Sequence, residues 1–196
     1  MGEIKSAREL AMEKIDKMGE ASEEERLEWK YLPEGEKLAA RYLKQDTELL
    51  TELGKYDKKA LKYVSKGVSG VLIKNINLPR DDAGKKTNKL AMDGIKAIKS
   101  DKTRVEAVLN QIRHIFNHYA EQGEKQLKQA YATLKNDFQA KVEQALRQQG
   151  ASMAGVRIDI EKQPQFQEEW RKVKMQLEGQ YIQLLNEYKQ ELEALN

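Results

Sequence analysis

Two imidazoles four residues apart form the only arrangement in this chain with the spacing of a metal site. The run His114-Ile115-Phe116-Asn117-His118 puts both on one face of a helix, with Glu121 about one turn further on. Such a pair can share a zinc or another transition metal, and the carboxylate can act as a third ligand. The metalloprotease motif has a glutamate directly after its first histidine, where this chain has Ile115. The chain holds only these 2 histidines, so a further ligand has to come from a distant carboxylate, a water or a second copy. The expectation is therefore that His114 and His118 lie on a polar face beside an apolar stripe, with no metal and no cofactor. A metal-assisted enzyme at this pair is a third reading.

Other catalytic apparatus is hard to assemble. The chain has no cysteine, no Gly-x-Ser-x-Gly elbow and no histidine near a promising serine. Its carboxylates fall at the spacing of solvated helix faces. The stretch Pro79-Arg80-Asp81-Asp82-Ala83-Gly84-Lys85-Lys86-Thr87 invites comparison with a phosphate-binding loop and departs from it at the decisive places. Pro79 stands where the first glycine belongs, and Lys86 where a hydroxyl would ligate magnesium. The stretch reads instead as a proline-terminated helix followed by an aspartate-capped one through Leu90, Met92, Ile95 and Ile98. A non-catalytic protein is expected.

Charge is distributed unevenly. Residues 1–54 hold nine basic and fourteen acidic side chains, residues 55–104 fourteen and five, and residues 105–196 twelve and thirteen. Within the basic third, Lys58, Lys62 and Lys66 share one helical face, as do Lys85 and Lys89, with Lys86 beside them; such a surface can contact phosphates. The preponderance of lysine over arginine argues against base-specific reading. The simpler expectation is that the acidic first third neutralises this region. A sequence-independent nucleic-acid surface at 55–104 is the alternative.

The elements that position these residues are helices. With 34% charged, 39% hydrophobic and only 7% aromatic residues and three prolines, the composition suits long helices with narrow apolar faces. A first helix is predicted over residues 3–18, and the Gly2/Ser6 spacing there, a loose match to a myristoylation signal, reads more simply as its start. Ser22-Glu23-Glu24-Glu25 is a capping box that opens a second helix. Pro33 predicts a kink or break at 32–35, after which Leu38, Ala39, Tyr42, Leu43, Leu49, Leu50 and Leu53 form an apolar face ending near Gly54. Asp57 caps the next helix, which runs to about Asn75; Gly67 and Gly70 weaken it unless they admit a close helix crossing. A two-stranded ribbon pairing 71–78 with 156–160 is the alternative for that region.

From Asp101 or Lys102 to about Gln149 the pattern predicts one long helix, interrupted by the polar stretch Ala120–Gln126 around Gly123, where it bends or shifts register. After Gly150–Gly155 the chain has room to reverse. The final stripe, Phe166, Trp170, Val173, Leu177, Tyr181, Leu184, Tyr188, Leu192 and Leu195, advances in steps of three or four and needs a partner helix. An all-α, elongated fold follows: an N-terminal helical cluster over 1–99 with a basic second half, and a long antiparallel, coiled-coil-like hairpin over 100–196. The expected function is interaction or scaffolding, with self-association through the Phe166–Tyr188 stripe or binding of a helical partner. No run approaches a membrane span and no disulfide framework is possible, so a cytoplasmic protein is expected. Partner identity and oligomeric state lie beyond the sequence.

Overall fold

A computed structural model of the chain describes residues 22–148 and 159–195. Among the described residues the regular structure is entirely helical, and no helix is long and apolar enough to cross a membrane. The predicted helix over 3–18, the Gly2 pattern, the Gly150–Gly155 break and the Val156–Ile158 part of the proposed ribbon lie outside the described residues. Residues 71–74 complete a helix and 75–78 are not a strand.

Helix α1, Glu23–Leu43, opens on the predicted capping box: Ser22 N donates to Glu25 Oε2 at 2.8 Å, and Glu25 N donates to Ser22 Oγ at 3.2 Å. Contrary to expectation, α1 runs through Pro33 without a break. The ring costs the helix one hydrogen bond, the one an N–H at position 33 would donate to the Trp29 carbonyl, and the rest of the ladder carries the helix on. The break comes later. Gln45 N donates to Tyr42 O at 2.8 Å and Asp46 N to Arg41 O at 3.0 Å, closing a Schellman turn with Gln45 at φ 63°. A short helix α2, Leu49–Leu53, follows, so the apolar run 38–53 is two helices; Leu50, assigned to the inward face, is 63% exposed.

Helix α3, Lys58–Lys74, starts where predicted, with Asp57 Oδ1 accepting from Ala60 N at 2.8 Å. Its glycines behave differently from each other. A Cβ on Gly67 would stand 2.2 Å from Leu32 O, and one on Gly35 would stand 2.1 Å from Val64 O. α1 and α3 therefore cross backbone to backbone at a reciprocal glycine contact. A Cβ on Gly70 would meet nothing within 4 Å. Helix α4, Asp82–Ile98, is capped by Asp81, whose Oδ1 accepts from Gly84 N at 2.6 Å.

Helix α5, Lys102–His118, passes into a π-helical turn, Tyr119–Gly123, and then helix α6, Glu124–Gln148. The interruption predicted around Gly123 is thus a widened turn within one continuous helical rod. A short 3₁₀ turn, Ile160–Lys162, precedes helix α7, Pro164–Ala194, which carries Pro164 at its first position.

The molecule divides into two compact units. The first takes the described residues up to Ile76, Lys85–Glu106 and the chain from Leu192; the second takes Asn77–Gly84 and Ala107–Glu191. The boundary expected at 99/100 falls inside the first unit. That unit's core is built on Ala39, Val64, Val68, Leu72, Ile73 and Ile95, all fully or almost fully buried. Gly94 lets Leu72 and Tyr42 lie against α4: an added Cβ would stand 2.7 and 2.9 Å from their side chains. The second unit buries Leu109, Ile112, Ile115, Phe116 and Tyr119 of the long rod, with Phe166 and Leu185 of α7.

Candidate functional site

In the second unit α7 runs antiparallel to the rod, as its ring contacts record. Tyr119 meets Tyr181 (centroids 5.3 Å apart), Tyr131 meets Trp170 (5.0 Å) and Phe166 (5.6 Å), and Phe138 meets Phe166 (5.7 Å). Residue numbers rise on one helix as they fall on the other. All four pairs are edge-to-face, the arrangement that aromatic quadrupoles favour. Lys135 also pairs with Glu161 of the 3₁₀ turn.

At the π turn this packing admits a charge. Glu178 is 2% exposed, and both its oxygens are engaged. Arg80 approaches with its fork, Nε donating to Oε1 at 3.2 Å and Nη2 to Oε2, while the Tyr119 hydroxyl donates to Oε1 at 2.7 Å. Burial by itself raises the Glu178 carboxyl, but the bonds from Arg80 and Tyr119 outweigh it and hold the group below the usual glutamate range. Burial first, and then the ionised Glu178, push the Tyr119 hydroxyl to about 12. The bond to Glu178 raises Arg80 further. At neutral pH the cluster is a carboxylate held by a guanidinium and a neutral phenol, a satisfied arrangement that fixes geometry.

Gly123 completes the cluster. A Cβ there would stand 2.7 Å from Tyr119 Cδ2, so the glycine lets the phenol ring lie across the π turn. The inward face of α7 departs from the predicted stripe at one position. Phe166 and Leu192 are buried and Trp170, Val173, Leu177, Tyr181 and Tyr188 are half-buried, but Leu184 is 46% exposed and Leu185, 3% exposed, takes its place. The predicted stripe therefore holds except at Leu184.

Beyond the turn the hairpin changes character. None of the residues of α6 is buried, although Leu127, Ala130, Tyr131, Leu134, Phe138, Val142 and Leu146 trace an apolar stripe. They are half-buried at best. A groove of about 490 Å³ lies on this part, with Ala130, Leu134, Val173 and Leu177 in its walls and Gln126 and Asp137 at its margins.

The other predicted residues fall elsewhere. His118 Nδ1 lies 3.0 Å from the Tyr181 hydroxyl, and His114 is exposed on α5. Among the described residues no three His, Cys, Asp or Glu side chains stand together as a metal-holding group. Lys58, Lys62 and Lys66 are exposed along α3, and acids of α1 reach this helix: Glu28 meets Lys66 at 2.5 Å and Glu23 meets Lys59 at 2.9 Å. Lys85, Lys86 and Lys89 are exposed on α4.

Fold and site together define a class, an all-α protein built on an antiparallel helical hairpin with an ionic clamp at a π turn. Residues 50–194 match a family of unknown function (DUF6657), and the chain belongs to it. No curated protein and no solved structure matches the chain.

Proposed function

We propose that this protein is a non-catalytic interaction protein that self-associates through the α6 half of its hairpin. The observation that carries this reading is the half-buried stripe of α6. Two helices alone form a single layer and leave part of each apolar face in water. A second hairpin laid across the groove at Ala130, Leu134, Val173 and Leu177 would complete a four-helix core. The near balance of charge over residues 105–196, twelve basic against thirteen acidic, means that an identical copy meets little net repulsion.

The reading in which residues 55–104 contact nucleic acid draws less support, because Glu23 and Glu28 pair with two of the lysines on α3.

The chain has no cysteine, which makes cross-linking a direct test. Thr133→Cys places a thiol in the groove and Lys86→Cys places one on exposed α4. Mild oxidation should give a covalent dimer with the first and leave the second a single chain. Equal cross-linking of the two, or none at Thr133→Cys, counts against the hairpin interface.

A further inference from the structure

His114 and His118 stand one turn apart on one face of α5, and both are exposed. In a continuous α-helix this spacing brings their Cβ atoms to about 5–6 Å, from which both rings can turn a nitrogen to a single ion. Spacing alone is common on a polar face; Tyr181 is what distinguishes this pair. Its hydroxyl lies 3.0 Å from His118 Nδ1, with the two rings tilted at 39°. Tyr181 is itself held by packing: it meets Tyr119 edge to face at 5.3 Å, and Tyr119 is tied to the buried Glu178. The His118 ring is therefore fixed through Nδ1 by a helix other than its own. When the Tyr181 oxygen accepts from Nδ1–H, the lone pair falls on Nε2, the tautomer that a metal bound at that nitrogen needs. Among the described residues neither imidazole has a further hydrogen bond or ion pair, so an ion bound there displaces no contact between them.

We infer that His114 and His118 form a two-histidine chelate for a divalent transition ion of the zinc, nickel and copper type, with Tyr181 as the positioning residue behind His118. The donor set decides the class of ion: neutral imidazoles suit these metals, whereas magnesium and calcium take oxygen ligands. No third His, Cys, Asp or Glu side chain of the described residues joins the pair, so water completes the coordination, as in an open site. The pair shares no residue with the groove at Ala130, Leu134, Val173 and Leu177, and the inference is independent of the self-association proposed there.

The test is isothermal titration calorimetry of the full chain with zinc chloride, with nickel and magnesium chlorides run alongside. Saturable binding of one zinc or one nickel per chain is expected, and none of magnesium. His114→Ala and His118→Ala should each weaken zinc by about tenfold or more, since each leaves a single imidazole. Tyr181→Phe keeps the ring on Tyr119 and removes the hydroxyl; it should weaken zinc by about tenfold, the lower end of the range for partners behind a metal ligand. Circular dichroism checks that each variant keeps its helices. Nitrogen NMR of the imidazoles adds a readout that packing alone would not move: zinc should leave His118 protonated on Nδ1. No saturable zinc binding by the parent, or unchanged affinity in either histidine variant, would overturn the site. Unchanged affinity in Tyr181→Phe, or a zinc-bound His118 protonated on Nε2, would overturn the role of Tyr181. Magnesium binding that either histidine variant removes would overturn the class of ion.

Discussion

The hydroxyl of Tyr119 donates to Oε1 of Glu178 at 2.7 Å, linking a π-helical turn to the helix that packs on it. The chain Gly123, Tyr119 ring, Glu178, Arg80 makes the widened turn part of the packing: the glycine seats the ring, the ring aims the hydroxyl, and the hydroxyl shares the carboxylate with the guanidinium. Tyr119→Phe removes one bond from a buried charged acceptor and should lower unfolding free energy by about 1–3 kcal/mol. Arg80→Met removes the cation that bonds Glu178; because the Arg80 side chain is itself 53% exposed, the loss should sit near the lower end of the ~3–5 kcal/mol seen when buried pairs are broken. Urea denaturation of the three proteins measures both, and a Tyr119→Phe variant as stable as the parent would show that the bond contributes nothing.

The same cluster sets two pH windows of opposite sign. Glu178 is held below its ordinary 4.5, so its contribution is complete above that value and disappears as pH falls through the lower, folded-state value. Tyr119 is raised from 10 to about 12, so its contribution is complete below pH 10 and is lost between there and about 12. The urea midpoint should therefore fall in acid and in alkali. Glu178→Gln should flatten part of the acid limb and Tyr119→Phe part of the alkaline one. Parent-like slopes in both variants would locate the pH dependence elsewhere.

Gly67 and Gly70 are three residues apart on α3 and should respond oppositely to the same substitution. A Cβ at Gly67 meets Leu32 O at 2.2 Å, a backbone atom that can move only if α1 moves. Gly67→Ala should cost about 3 kcal/mol, at the upper end of overpacking effects. At Gly70, where nothing lies within 4 Å, alanine should stabilise by about 1 kcal/mol through helix propensity. Thermal melts of the two variants separate steric from intrinsic effects; equal shifts would contradict the reciprocal crossing.

Gln45 holds φ 63° at the end of α1, where the turn geometry favours glycine. Gln45→Gly should raise stability by about 0.5–1 kcal/mol in the same melts, by relieving the Cβ penalty of the left-handed conformation. A neutral or destabilising result would mean that the Gln45 side chain contributes more than its backbone strain costs.

How far these features could be read from the sequence depends on how local each is. The Ser22 box, the Asp57 and Asp81 caps, the α3 end and the Gly123 interruption are set by residues within one turn of one another, and the structure has each where the pattern placed it. Gly67 was visible as an anomaly, but its partner Gly35 belongs to another helix. Pro33 misled because a proline removes one hydrogen bond without deciding whether packing on both sides sustains the helix. The Arg80–Glu178 clamp was illegible: its partners stand 98 positions apart, and Glu178 is one of many glutamates in a charged helix. The Leu184–Leu185 exchange was illegible for the same reason, since which of two adjacent leucines faces inward is fixed by the other helix.

The most direct test of the self-association reading is the absolute mass in solution by light scattering after size exclusion, over a range of concentrations and at low and high salt, with absorbance read at 260 and 280 nm. The parent chain should give twice the 22.6 kDa of one chain at the higher concentrations. Leu134→Glu with Val173→Glu, which puts charge on both walls of the hairpin groove, should return it to a single chain with its helical circular dichroism intact. A parent that stays at 22.6 kDa at every concentration, or a double variant that associates as the parent does, would contradict the proposal.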